Sequence, residues 1–172
     1  VFYPTVLLDK LEELPTVPLQ LTVFRHMLGT NVPARVNVRG ARWNPPQTPA
    51  IYTSLLRQTA LAEADYHLSL QTPPIRVRRT IYSIRVSLQK VVDLRDPDLL
   101  SSLSIRVDAL SSADLTLCQR IGGAVARLGR DGLLVPSVRQ AGGANLVIYP
   151  TQQELAESEF KVIDQEVIDY GR

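Results

Sequence analysis

Hydrophobic and polar positions change period several times along this chain, and each change marks an element. Leu7, Leu8, Leu11 and Leu14 recur at helical spacing, and Pro15 stops that helix. From Leu21 to Met27 the period falls to two. Leu21, Val23 and Arg25 alternate there with Thr22, Phe24 and His26, so neither face of the strand is wholly apolar. Residues 28–49 are rich in Gly, Asn and Pro and read as a loop. A short strand, Ala50 to Thr53, leads into a helix from about Ser54 to about Leu70, with Thr53 or Ser54 as its cap. In that helix Leu56, Ala60, Glu63 and His67 share one stripe. Arg76 to Leu88 is a long strand whose partial alternation implies a bulge, and Leu88 to Leu94 continues it or starts another.

The second half is patterned less regularly. Residues 96–103 read as a turn with one or two helical turns. Ser111 or Ser112 caps a helix that holds Asp114 in its first turn and runs to about Leu128, where Gly129 and Gly132 end it. Gly132 to Val138 is a buried strand bent by Pro136, which turns Ser137 away from the ladder. A-G-G-A makes a turn, residues 145–150 form another strand, residues 151–158 open a short helix, and F-K-V-I-D-Q-E-V-I closes the pattern as a strand. Several strands with few, short helices predict an α+β fold, with mixed or antiparallel sheets packed as a pair.

Composition narrows the class. The 172 residues, 45% apolar and 21% charged, suit one domain over 1–172 with a real core. No apolar run approaches the roughly 18 residues of a membrane span, and no basic segment followed by an apolar one opens the sequence as a secretory signal would. The expected compartment is the cytoplasm. The single Cys118 excludes an internal disulfide and a cysteine-based zinc cluster, and its helical setting predicts a buried, inert thiol. No metal site is expected. Net charge is +2, but residues 1–86 are basic and residues 87–172 acidic. A basic half suits a polyanionic ligand, and most of the basic residues are Arg, which favours forked contacts to phosphate or carboxylate.

Candidate chemistry gathers in Val38 to His67. This stretch brings Arg39 and Arg42, Trp43, Tyr52 and Glu63 close together in sequence, on a loop stiffened by Pro45 and Pro46. Its runs G-A-R-W-N-P-P, I-Y-T-S and A-L-A-E resemble the RES domain family, named for an arginine, a glutamate and a serine. The resemblance covers about Leu21 to Pro150. It implies a fold like that of ADP-ribosyltransferases, and an activity that breaks down NAD or transfers its ADP-ribose. Members include toxins of bacterial toxin–antitoxin pairs, so the implied partner is a cognate antitoxin with a helix-turn-helix, Xre-like domain. NAD would be consumed as a substrate. The glycine pairs at 122–123 and 142–143 lack the G-x-G-x-x-G spacing that holds a dinucleotide as a redox cofactor.

The same resemblance supplies roles. Glu63 would hold a ribose hydroxyl and favour a cationic transition state. Arg25, which follows the aromatic Phe24 as the family pattern has it, would bind phosphate or ribose oxygens, with Arg42 as helper. Tyr52 would pack against nicotinamide or ribose, Asn44 would fix the loop, and Ser137, in a V-P-S run, would hydrogen-bond near nicotinamide. Asn145 is a further substrate-binding candidate. Gln47 departs from the pattern, standing where the loop often has glycine. His26 and His67 are expected to be structural, the latter as a partner for Glu63. Two alternatives stand beside NAD cleavage. One is ADP-ribose transfer to a protein. The other is a non-catalytic nucleic-acid binder tracking phosphates with Arg35, Arg39, Arg42, Arg76, Arg78 and Arg79; an aromatic content of only 6% argues against it.

Overall fold

Five strands close on themselves, and the helices cover the outside of the ring. The structure is a computed structural model that describes residues 5–72, 77–150 and 155–168. Its elements run α1 (Thr5–Glu12), β1 (Val17–Leu28), β2 (Ile51–Ser54), α2 (Arg57–Ser69), β3 (Arg79–Asp93), α3 (Pro97–Ser102), a 3₁₀ turn (Val107–Ser111), α4 (Thr116–Arg127), β4 (Gly132–Pro136), β5 (Ala144–Ile148) and β6 (Phe160–Ile168). The strand order is β1-β2-β5-β4-β3-β6, and β1 also pairs with β3, which closes a ring of five. All of these pairings are antiparallel except β3 with β4. The mixed α+β class holds, but the strands form one closed sheet and not two packed ones.

Closure follows from the length of β3. Its 15 residues give β1 a long antiparallel partner, from Leu28↔Arg79 to Val17↔Val91, and still leave its other edge for both β6 and β4. The expected bulge appears as a register shift between Ser83 and Ile84 against β6, and β3 runs on without a break to Asp93. Period two then sorts the side chains into two cores. Val23, Ile51, Ile84, Leu134, Leu146 and Ile148, drawn from all five ring strands, fill the interior. Their neighbours Leu133, Val135 and Val147 face outwards, into a second core shared with Ile121, Ala124 and Val125 of α4 and Leu11 of α1.

One glycine sets how close α4 comes to the sheet's loops. A Cβ at Gly122 would stand 1.8 Å from the Trp43 carbonyl oxygen and 2.5 Å from Tyr149 Oη. The helix therefore lies against the main chain of the G-A-R-W-N loop. Tyr149 Oη donates to the same Trp43 oxygen at 2.7 Å, and Gln119 Nε2 donates to Ala41 O at 3.0 Å. Cys118, buried on this helix, has its thiol pushed up by desolvation, as expected of an inert cysteine.

Three local expectations change. Thr53 and Ser54 do not cap α2, which starts at Arg57 after an uncapped Leu56. Both hydroxyls are taken by β5: Thr53 Oγ1 donates to Leu146 O and Ser54 Oγ to Asn145 Oδ1. Leu56 lies outside the helix and is 46% exposed, so the buried face of α2 is Thr59 and Ala60. Ser111 closes the 3₁₀ turn instead of capping α4, and Asp114 lies before that helix, accepting from the Thr116 N–H at 2.9 Å. Residues 155–158 are not helical, and the rest of that expected helix, 151–154, lies outside the described residues, as does Arg76 at the expected start of β3. Among the described residues no helix is long and apolar enough to cross a membrane.

Candidate functional site

A cavity of about 1030 Å³ opens where β1, β2, α2 and the loops around Trp43 and Arg139 meet. Glu63 lines it from the middle of α2. Its Oε1 accepts from Ser137 Oγ at 2.7 Å and from Asn145 Nδ2 at 2.7 Å. Its other oxygen has no hydrogen bond among the described residues. Each donor is itself held. Asn145 receives Ser54 Oγ on its own amide oxygen at 2.7 Å. Ser137 Oγ accepts from the backbone N–H groups of Arg139 and Gln140, both at 3.1 Å. Pro136 is the cause of this last arrangement. It ends β4, and Ser137, just past the ladder, turns its hydroxyl over the first turn of the following loop. A carboxylate, a hydroxyl and an amide thus form one connected cluster with a single carboxylate oxygen left open to the cavity.

The Trp43 loop supplies the opposite wall. Tyr52, on β2, donates its hydroxyl to Asn44 Oδ1 at 2.7 Å and accepts the Trp43 N–H at 3.0 Å. Burial pushes the phenol well above its usual range, so the hydroxyl stays protonated and its ring is what the cavity meets. Asn44 is fully buried and donates to Asn37 O and Thr48 O, at 3.1 and 2.8 Å. It pins three points of the loop, the role expected of it, and does not line the cavity. Gln47 sits at φ 73°, the left-handed region in which glycine is at ease. The Gln47 N–H donates to Val38 O at 2.8 Å, which holds the turn.

Arg25 and Arg42 line the cavity, but both turn donors to main-chain carbonyls. Arg25 donates to Pro33 O and, at 2.7 Å, to Arg35 O. Burial, with Arg35 nearby, lowers its pKa to about 10, which leaves it charged at neutral pH. Arg42 donates to Leu110 O at 3.0 Å and Ser112 O at 2.8 Å, tying the 3₁₀ segment to the loop. His26 lines the cavity too, and its Nε2 accepts from Arg79 Nε at 2.8 Å, with Arg79 also paired to Asp65. His67 meets Tyr66 edge-on and is not a partner of Glu63. Arg42 and Arg79, two of the six arginines of the alternative phosphate-tracking patch, are engaged inside the protein, and Arg76 lies outside the described residues. Sequence reasoning missed two features. Ser54 was read as a cap, although it belongs to the quoted I-Y-T-S run. Arg139 follows V-P-S directly and stacks its guanidinium 3.3 Å over the Tyr66 ring.

A family model for the RES domain matches residues 16–170 of this sequence. The chain belongs to the RES domain family. RES relatives with curated names are NAD(+) phosphorylase MbcT of Mycobacterium bovis and of Mycobacterium tuberculosis, each 29% identical over 119 residues. The match takes in 66% of this chain and 62% of theirs. The RES chain in the crystal structure of the M. tuberculosis MbcT-MbcA toxin-antitoxin complex superposes with a TM-score of 0.82 at 24% identity, covering 95% of this chain and 92% of that one. The RES domain that the G-A-R-W-N-P-P, I-Y-T-S and A-L-A-E runs resemble is therefore the domain found.

Proposed function

We propose that this protein cleaves the bond between nicotinamide and ribose in NAD. The observation that carries the reading is the Glu63 cluster: a carboxylate fixed at one oxygen by Ser137 and Asn145 and open at the other, inside a cavity large enough for a dinucleotide. Departure of nicotinamide leaves positive charge on the ribose ring. A fixed carboxylate that accepts a ribose hydroxyl stabilises that charge, and because it is already oriented it needs no reorganisation when the charge appears. Ser137 and Asn145 act by holding Glu63. The Tyr52 ring is the flat wall for nicotinamide or ribose, and its hydroxyl keeps the Trp43 loop in place. Arg25 supplies positive charge at the other side, with its remaining donors directed to ribose or phosphate oxygens.

Phosphate is the acceptor favoured by the relatives' name, with water second. In phosphorolysis a phosphate oxygen forms the new bond to the ribose carbon that nicotinamide leaves, and the products are nicotinamide and phosphorylated ADP-ribose. A cell expressing such an activity unchecked loses NAD from its cytoplasm. The reading therefore includes a toxin's role and a cognate antitoxin, of helix-turn-helix type, that closes the cavity. Purified protein mixed with NAD, with and without phosphate, tests the chemistry. Nicotinamide should appear, and mass measurement of the second product identifies the acceptor. Transfer to protein would instead label a polypeptide with ADP-ribose. Folded protein that releases no nicotinamide in either buffer overturns the proposal.

A further inference from the structure

Three arginines line the cavity among the described residues: Arg25, Arg42 and Arg139. Two of them hold main-chain carbonyls of their own protein, as described above. The third does not. The Arg139 side chain has no hydrogen-bond acceptor among the described residues, and its guanidinium lies over the face of Tyr66, 3.3 Å from guanidinium carbon to ring centroid. A guanidinium packed flat on an aromatic ring keeps its N–H edge outward and its orientation fixed. Such an edge matches the oxygens of a phosphate group.

Its place relative to Glu63 is set twice over. Tyr66 follows Glu63 by three residues on α2, so the two lie on one helix face about a turn apart. Arg139 follows Ser137 by two, and its backbone N–H donates to the Ser137 hydroxyl that also donates to Glu63. The cation is thus tied to the carboxylate through its own main chain and stands beside it without pairing with it. Among the described residues no carboxylate pairs with it, and both Tyr66 and Arg139 line the same cavity.

We infer that Arg139, braced on Tyr66, is a phosphate-binding residue of this cavity. The inference rests on the NAD-cleaving reading for its ligand, which is either the diphosphate of the dinucleotide or inorganic phosphate. The ligand chemistry is the same in both cases, and the kinetics separate them. Loss of one charge-assisted contact at an exposed residue weakens binding about tenfold. If the diphosphate is bound, Arg139→Ala raises KM for NAD by that factor at saturating phosphate. If inorganic phosphate is bound, KM for phosphate rises and KM for NAD stays. In both cases kcat changes little. Tyr66→Leu should lose part of what Arg139→Ala loses, and Tyr66→Phe, which keeps the ring, should lose less than Tyr66→Leu.

A second measurement does not depend on turnover. Calorimetric titration with ADP-ribose and with inorganic phosphate compares wild type with Arg139→Ala at matched salt. An about tenfold weaker affinity for either ligand supports the inference even if no NAD is cleaved. Nicotinamide release by wild type, together with unchanged KM values and affinities in folded Arg139→Ala, overturns the inference and leaves the NAD-cleaving reading standing. A wild type that neither binds these ligands nor releases nicotinamide overturns both.

Discussion

Glu63→Gln separates the charge of this carboxylate from its shape. The glutamine side chain has the same length, and its amide oxygen can accept from Ser137 Oγ and Asn145 Nδ2 as Oε1 of Glu63 does at 2.7 Å. The amide nitrogen then takes the position of the open oxygen. Both existing hydrogen bonds survive, and Gln is as good a helix former as Glu, so the fold should stand. In the proposed reaction, what disappears is the negative charge opposite a cation that exists only in the transition state, and an acceptor for the ribose hydroxyl. Loss of one such preorganised contribution is about 2.7–4 kcal/mol, or roughly a hundredfold to a thousandfold in turnover. Because the loss falls on the transition state, kcat should fall while NAD still binds. The assay is nicotinamide release by purified wild type and variant, with melting curves and NAD titrations in parallel. A folded Gln variant that turns over at the wild-type rate would refute the electrostatic role and leave Glu63 as an anchor for Ser137 and Asn145.

Three further outcomes are expected. Tyr52→Phe strands the buried Asn44 oxygen and the Trp43 N–H, so it should destabilise the protein by about 1–3 kcal/mol, seen as a lower Tm, while keeping the ring for substrate; an unchanged Tm would show that water replaces the hydroxyl. Gln47→Gly relieves a side chain at φ 73°, worth about 1–2 kcal/mol against the roughly 0.5–1 kcal/mol entropic cost of glycine, so stability should rise slightly in urea titrations; a clear loss would count against strain at this loop. His26 has its pKa lowered to about 4, first by burial and then by Arg79, so the folded state resists a proton that the unfolded chain accepts near its ordinary value. Stability from this group is complete above about pH 6.5 and falls as pH drops towards 4; denaturation midpoints of wild type and His26→Gln should converge between about pH 6.5 and 4, and parallel curves would refute the assignment.

Local pattern told a great deal about which elements exist and little about how they meet. The leucines of α1, the Pro136 bend before Ser137 and the long β3 were all legible, because each depends on a period or a backbone restriction within a few residues. The stripe Leu56, Ala60, Glu63 and His67 misled about α2, since that helix lies on β1 and β2 and its Thr59 meets the loop after β4. Thr53 and Ser54 looked like caps because serine and threonine satisfy free helix N–H groups, yet partners about ninety residues away took both hydroxyls. Arg25 and Arg42 were legible as cations at the site. That they would turn donors to carbonyls was not, because those carbonyls belong to loops whose paths only the closed sheet defines. Gly122 carried no local signal at all, being one half of a glycine pair inside an ordinary helical pattern.

The Glu63 cluster also has an order of construction. The partners that fix its carboxylate come 74 and 82 residues later in the chain, and Ser54, which fixes Asn145, waits 91 residues for its acceptor. A growing polypeptide is made from its N-terminus. Until those later residues are made, Glu63 lacks both donors that fix its carboxylate. The carboxylate becomes rigid only when β5 closes against β2 and β4. Fragments that stop short of Asn145 carry the glutamate without its harness, so the cluster is not assembled on the ribosome until translation is well past that residue.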